Sequence, residues 1–238
     1  RFMGLPFSTR ATVVRLKTGD VWVHSPTHLT DGLRAELDAL GPVRHLIAPN
    51  WIHYAHIADW QAAWPEAEAW GAPGVAERAA KKGLELRLDH DLQWDGAELP
   101  WTGQIDQLIV RGSKTHREAV FFHRASDTLI LTDLIEAFET EKLPVWMRPL
   151  VWIAGIDDSD GKMPPDMQWT FRDKTALAED LERMIGWGPE RVILAHGRWY
   201  DSNGVAELER AFRRVLRGRA WDRALSDVKA RKTRDEDL

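Results

Sequence analysis

The chain has 238 residues, thirteen tryptophans, no cysteine, and a formal net charge of −5 from 32 basic and 37 acidic residues. Its length is enough for one large domain with a real core, and a 44% hydrophobic, 29% charged composition is globular rather than disordered or fibrous. Without cysteine there is no disulfide, thiolate nucleophile, zinc finger or Cys-ligated iron–sulfur cluster, so any metal must sit among nitrogen and oxygen ligands. The acidic balance argues against a general nucleic-acid binder. The longest apolar stretch, residues 143–156, is broken by Pro144, Arg148 and Pro149 and is too short to span a bilayer. No signal peptide is visible, and a cytoplasmic protein is expected.

Along the chain, residues 11–16 (ATVVRL) and 21–23 (VWV) flank KTGD turn chemistry and predict a hairpin. Residues 27–40 carry Leu29, Leu33, Leu37 and Leu40 at helical spacing, stopped by Gly41-Pro42. A short strand over 44–48 (RHLIA) ends at Pro49-Asn50. Helices follow over 57–64, closed by Pro65, and over 75–82. The middle is strand-rich: 84–88 alternate, 104–110 (QIDQLIV) follow, and 119–123 (AVFFH) pair with 128–132 (TLILT) through an RASD turn. The proline-rich 142–168 segment with its DDSDG run reads as loop around a short apolar helix. Residues 175–185 are amphipathic, 191–195 (RVILA) form the last buried strand, and 205–216 the last clear helix.

This alternation predicts a layered α/β fold in one domain over residues 1–220, with a charged extension over 221–238. Ten basic and four acidic residues lie between Glu207 and Arg234. They are read as a solvated helix and tail rather than an anion-binding arm.

Three apolar strands run directly into polar residues able to bind a metal. HLIAPNWIH ends at Asn50 and His53, TLILTD at Asp133, and RVILAHG at His196 followed by Gly197. In layered α/β proteins such strand-end loops converge beyond one rim of the sheet, which brings residues distant in sequence together. Two neutral imidazoles and one carboxylate would suit zinc, with iron or manganese as alternatives, and would leave positions open for water.

The order strand–loop–His, strand–Asp, strand–His-Gly resembles the metallo-β-lactamase superfamily, as do the starting hairpin, the HRASDTLILTD segment and the late VILAHG strand. The resemblance covers roughly residues 11–216. It implies an αββα sandwich of two mixed β-sheets flanked by helices, and a metal-dependent hydrolase. The family's HxHxDH motif is degraded: Ala48, Asn50 and Ile52 stand at the two earlier histidines and the aspartate, and His53 at the last histidine. Asp133 matches the metal-bridging aspartate and His196 the final histidine, so the retained positions are those of the second metal site. The resemblance thus implies a reduced, single divalent metal at His53, Asp133 and His196. Asp133 is the catalytic candidate, and His116, near the family's middle histidine, a further ligand candidate. The aspartate that would orient the nucleophile is replaced by Ile52. The competing reading is a non-catalytic relative, in which His53 and His196 are hydrogen-bonded core-edge residues and Asp133 is a cap.

His56, three residues after His53, is read as exposed or packing; His24, His28 and His45 as structural; His123 as an ordinary strand residue. His90 in Asp89-His90-Asp91 is discounted, because strand alternation sends it opposite to its neighbours. Among the tryptophans, Trp51 in the ligand loop and Trp199 after His196 are candidates for an aromatic pocket wall, while Trp60, Trp64, Trp70, Trp94 and Trp101 are read mainly as core. GxSxG, Walker A and GxGxxG motifs are lacking. The expected partner is a small-molecule substrate, with no nucleic acid and no membrane.

Overall fold

The computed structural model describes residues 9–92 and 98–236, with side chains through Leu225; Trp94 lies outside the described residues. β1 (Thr12–Arg15) and β2 (Val21–His24) form the expected antiparallel hairpin. Onto β2 are added β3 (Val43–Ala48), β4 (Glu68–Gly71) and β5 (His90–Asp91), all parallel, to complete a five-stranded sheet. A second, four-stranded sheet contains β6 (Ile105–Ile109), β7 (Ala119–His123) and β8 (Thr128–Ile130) in antiparallel order, then β9 (Arg191–Ile193) parallel to β8.

The sheets face each other. Trp22 of β2 meets Phe121 of β7 edge-on with ring centroids 5.1 Å apart, and Ile47, Ile105, Ala119 and Ile130 fill the same core. The outer face of the first sheet is covered by α1 (Asp31–Leu40), α2 (Ile57–Ala63) and α3 (Val75–Lys81), through Leu37, Ile57, Trp60, Val75 and Ala79. Between β8 and β9 the chain forms α4 (Arg148–Ala154), α5 (Pro165–Gln168) and α6 (Lys174–Gly186). Strand alternation turns Val120 and Phe122 away from Phe121. They pack with Leu177, Leu181 and Met184 of α6 and with Leu208 of α7 (Gly204–Ala211). Each fully buried aliphatic or aromatic side chain of this kind contributes roughly 1.5–3 kcal/mol. The arrangement is the αββα sandwich expected from the sequence.

Four local expectations are corrected. The first helix begins at Asp31 rather than residue 27, because the Thr30 hydroxyl accepts from the Leu33 N–H at 3.2 Å and caps it there. Strand β4, between Pro65 and Pro73, was not anticipated from the sequence. Residues 84–88 are not a strand: backbone pairing on this edge of β4 starts only at Asp89, whose N–H donates to the Ala69 carbonyl at 2.9 Å. Side chains serve the beginning of the edge, with Arg87 donating to the Ala67 carbonyl at 2.7 Å and the Asp89 carboxylate accepting from the Ala69 N–H at 2.8 Å. The helix expected over 205–216 breaks at Phe212, which turns into the core beneath the second sheet. After it, α8 runs over Arg213–Glu236, tied to α6 by Arg219–Glu179 and Arg223–Glu182 ion pairs. Among the described residues no helix is long and apolar enough to cross a membrane.

Strand direction places the chemistry. The parallel pairs β2–β3 and β8–β9 end at one rim of the sandwich, and β7, antiparallel to β8, begins there. His24-Ser25, Asn50–His53, His116–Glu118, Thr132-Asp133 and His196-Gly197 therefore meet at this rim.

Candidate metal centre

His53 Nε2, His196 Nε2 and Asp133 Oδ1 point at one another. The two imidazole nitrogens lie 3.2 Å apart, and the carboxylate oxygen is 3.1 Å from His53 and 3.2 Å from His196. Three atoms that each bind one cation at 2.0–2.2 Å lie ~3.0–3.4 Å from one another, so this spacing fits a single divalent ion. The donor set, two imidazoles and a carboxylate, is chemically suited to zinc or ferrous iron. Burial alone would raise the pKa of Asp133, but the neighbouring His53 and His196 outweigh it and hold the carboxyl well below its ordinary value. Asp133 is therefore an anion at neutral pH.

Each of the three is held from behind. Ser25, at the end of β2, places its Oγ 2.7 Å from His53 Nδ1, leaving Nε2 for the shared point. Ser25 sits at φ 55, a left-handed conformation uncommon outside glycine. Asn50 Nδ2 donates to Asp133 Oδ2 at 2.7 Å and to Thr132 Oγ1 at 2.9 Å, while its Oδ1 accepts the backbone N–H groups of Ile52 and His53. Glu118, fully buried at the start of β7, accepts the N–H groups of Thr132 and Asp133 at 2.7 and 2.9 Å. The His196 loop closes on Ala137, whose N–H donates to the His196 carbonyl and whose carbonyl accepts from Arg198 N–H at 2.8 Å. Gly197 is needed there: its φ is 82, and a Cβ would collide with the Ala137 carbonyl. Arg10 completes the loop by donating to the carbonyls of Leu194 and Gly197.

His116 lies in a second, overlapping group with Glu118 and Asp133. Its Nδ1 accepts from the Trp51 indole N–H at 3.1 Å, and its Nε2 is 3.3 Å from Glu118 Oε2. Both ring nitrogens are thus engaged by side chains. Trp51, half-buried, stacks beneath the Arg78 guanidinium at 4.6 Å. Trp199 lines a separate polar cleft with Asp158, Asp201 and Arg210.

Among the other histidines, His56 pairs with Asp59, His123 Nδ1 with Ser126 Oγ, and His90 stacks on Trp70 with centroids 4.0 Å apart. His24 is buried behind the site against Trp22 and Phe121. Burial, followed by repulsion from His53, pushes its pKa down to about 3 and keeps it neutral.

Ser25, Glu118, Glu136 and Arg10 were not among the residues singled out from sequence. Glu118 carries a visible signal, a lone charge opening the apolar strand AVFFH. Ser25 carries one too, since VWVHS is a fourth apolar strand running into polar residues. Glu136 is brought beside the site by the pairing of residues 136–138 with Lys162, Gly197 and Asp157. Burial first, and the charge of Asp133 second, raise its carboxyl pKa to about 8.

Solved structures of the same architecture include metallo-β-lactamases and a protein in a di-iron-bound form. The chain is similar to DIM-1 metallo-β-lactamase exposed to ceftazidime, with a TM-score of 0.58 and 14% identity over 86% of this chain and 84% of that one. A metallo-β-lactamase from Pontibacter korlensis gives 0.56 and 13% over 84% and 85%. TTHA1623 in a di-iron-bound form gives 0.51 and 18% over 84% and 92%. The fold is metallo-β-lactamase-like. No curated protein matches the sequence. The family model described as Domain of unknown function (DUF4336) matches residues 3–192, and the chain belongs to that family.

Proposed function

We propose that this protein is a metal-dependent hydrolase of a small molecule bearing a carbonyl or phosphoryl group, working through one divalent cation, zinc in the first instance. The observation that carries the reading is the 3.1–3.2 Å triangle of His53 Nε2, His196 Nε2 and Asp133 Oδ1. One ion rather than two is supported by the other side of Asp133, whose Oδ2 accepts from the Asn50 amide at 2.7 Å. Ala48 offers no donor at all.

When bound, the cation supplies Lewis-acid polarisation of the substrate oxygen and activation of water near neutral pH. The chain supplies the rest. His53 and His196 hold the ion as neutral ligands, Asp133 balances its charge, and Ser25 and Asn50 fix their orientation. Ile52 cannot take a proton, and Glu136, whose carboxyl feels the charges of Asp133 and His196, is the group that would hold one.

The reading is tested by elemental analysis of tag-free protein together with its melting temperature. About one equivalent of metal, lost in His53→Ala and His196→Ala and raising the melting temperature of the parent by several degrees, is the expected result. The metal found decides between zinc, iron and manganese; iron would point to an oxidoreductase in this fold. A second reading, a non-catalytic binding module, is favoured by Ile52 in place of an acid. It stands if purified protein holds no stoichiometric metal and added metal leaves the melting temperature unchanged.

A further inference from the structure

The segment connecting Glu139 to Asp157 carries an apolar surface that none of the described residues covers. On its inner side Leu143, Met147 and Val151 pack on Phe138, whose ring lies 6.2 Å from that of His196. On its outer side Val145, Trp146, Leu150, Trp152 and Ile153 are between 60% and 75% exposed. Trp169, after α5, is 79% exposed. A helix apolar on both faces is ordinarily buried. Here half of it stands in solvent with three tryptophans, which marks the face as a contact surface.

Its charges indicate what the face contacts. No acidic residue occurs between Lys142 and Ile156, and Arg148 is the basic residue within α4. Ile153 and Trp169 share a cleft of about 480 Å³ with Lys174, Arg213 and Arg214, so the apolar face and a cationic rim are continuous. Of the acids around it, Asp160 pairs with Arg213 and Lys162, Asp173 caps α6, and Asp166 is exposed. Tryptophan and basic residues on one apolar face are the chemistry of the lipid headgroup region, where the indole ring sits half in hydrocarbon and the cations meet anionic lipid. A second copy of this chain fits less well. Pairing two such faces would bring both sets of Arg148, Lys174 and Arg214 to one interface with few acids to neutralise them.

We propose that the α4 face, with Trp169 and the Lys174–Arg214 rim, docks on the surface of an anionic lipid bilayer. The expectation of no membrane partner rested on the lack of a spanning segment, and a helix lying in the interface needs none. The docking is independent of the metal reading.

The test is flotation of the full chain with vesicles of phosphatidylglycerol and phosphatidylcholine in equal parts, against phosphatidylcholine alone. Co-flotation with the anionic vesicles at low salt, falling at ~0.5 M salt, is expected, with a blue shift of tryptophan emission. The triple variant Trp152→Ser, Ile153→Ser, Trp169→Ser should lower the bound fraction at least about tenfold, and Lys174→Glu with Arg214→Glu should remove the salt-sensitive part. All five positions lie at the surface, and an unchanged melting temperature checks that folding is intact. Chelator-treated protein should bind equally, so failure of the metal reading would leave this result standing. No flotation at low salt, or flotation of the triple variant equal to the parent, overturns the proposal. So does a parent dimer by light scattering that the triple variant converts to monomer without any vesicle binding, because the face would then belong to a second copy.

Discussion

Ser25 Oγ lies 2.7 Å from His53 Nδ1, and Ser25 reaches that position only by adopting a φ of 55. A left-handed conformation in a non-glycine residue costs on the order of 1 kcal/mol, so the bond is kept against local strain. When Nδ1–H donates to this hydroxyl, the Nε2 lone pair is left facing the shared point. Ser25→Ala should therefore weaken metal affinity about 10- to 100-fold while leaving the strain in place. Ser25→Gly should weaken affinity similarly and recover some stability, since glycine accepts this φ freely. Competition titration against a chelating dye measures the first effect and urea denaturation the second. If Ser25→Ala binds metal like the parent, the orienting role is refuted.

Asn50 makes five side-chain hydrogen bonds within the buried rim, to Glu118, Thr132, Asp133 and the N–H groups of Ile52 and His53. Asn50→Ala would strand one oxygen of Asp133 and two backbone N–H groups without partners. A loss of about 2–4 kcal/mol in unfolding free energy is expected, with weaker metal binding because Asp133 is no longer held. Asn50→Asp should be worse at neutral pH than at pH 4, because it sets a second carboxylate against Asp133.

Glu136 predicts a pH dependence. Its carboxyl titrates at about 8 in the folded chain against an ordinary 4.5, so the folded state binds the proton more tightly than the unfolded one. Its contribution to stability is complete below ~4.5 and is lost as pH rises through about 8. In chelator-treated protein, Glu136→Gln should resemble the parent at pH 5 and exceed it by a few kcal/mol at pH 8.5, read by urea denaturation. Metal loading should shrink that difference, since a cation at Asp133 and His196 favours the carboxylate.

Gly197→Ala tests the closure of the His196 loop. The new methyl would meet the Ala137 carbonyl, and φ 82 suits no alanine. A cost of at least about 2–3 kcal/mol is expected together with lost metal binding, since the loop must shift and carry His196 with it. A variant that folds with full metal content would show that the loop tolerates the displacement.

How far the site could be read in advance depended on distance along the chain. His53, Asp133 and His196 were legible because each ends an apolar strand, a pattern local to five or six residues. Asn50 was visible as a departure from a motif, but not as the amide that occupies one oxygen of Asp133. The pairings of Ser25 with His53 and of Arg10 with Leu194 and Gly197 could not be assigned, because these partners lie 28 to 187 residues away and no local pattern encodes such a pairing. The strand expected over 84–88 failed for a related reason: its alternation was genuine, but backbone pairing with β4 starts only at Asp89, and the Arg87 and Asp89 side chains serve the edge before it.

Length, charge and the absence of cysteine were settled by composition, and with them the nitrogen-and-oxygen character of any metal site. Hydrophobic periodicity settled most elements and the layered α/β class, because burial is written residue by residue; the αββα order was implied by the family resemblance. Only the tertiary structure decided that Asn50 occupies an oxygen of Asp133, that Ser25 holds His53 under strain, and that the outer face of α4 is left uncovered by the described residues. Those outcomes depend on which strands end at the same rim and which helix finds a partner, and these are properties of packing, not of any single stretch of sequence.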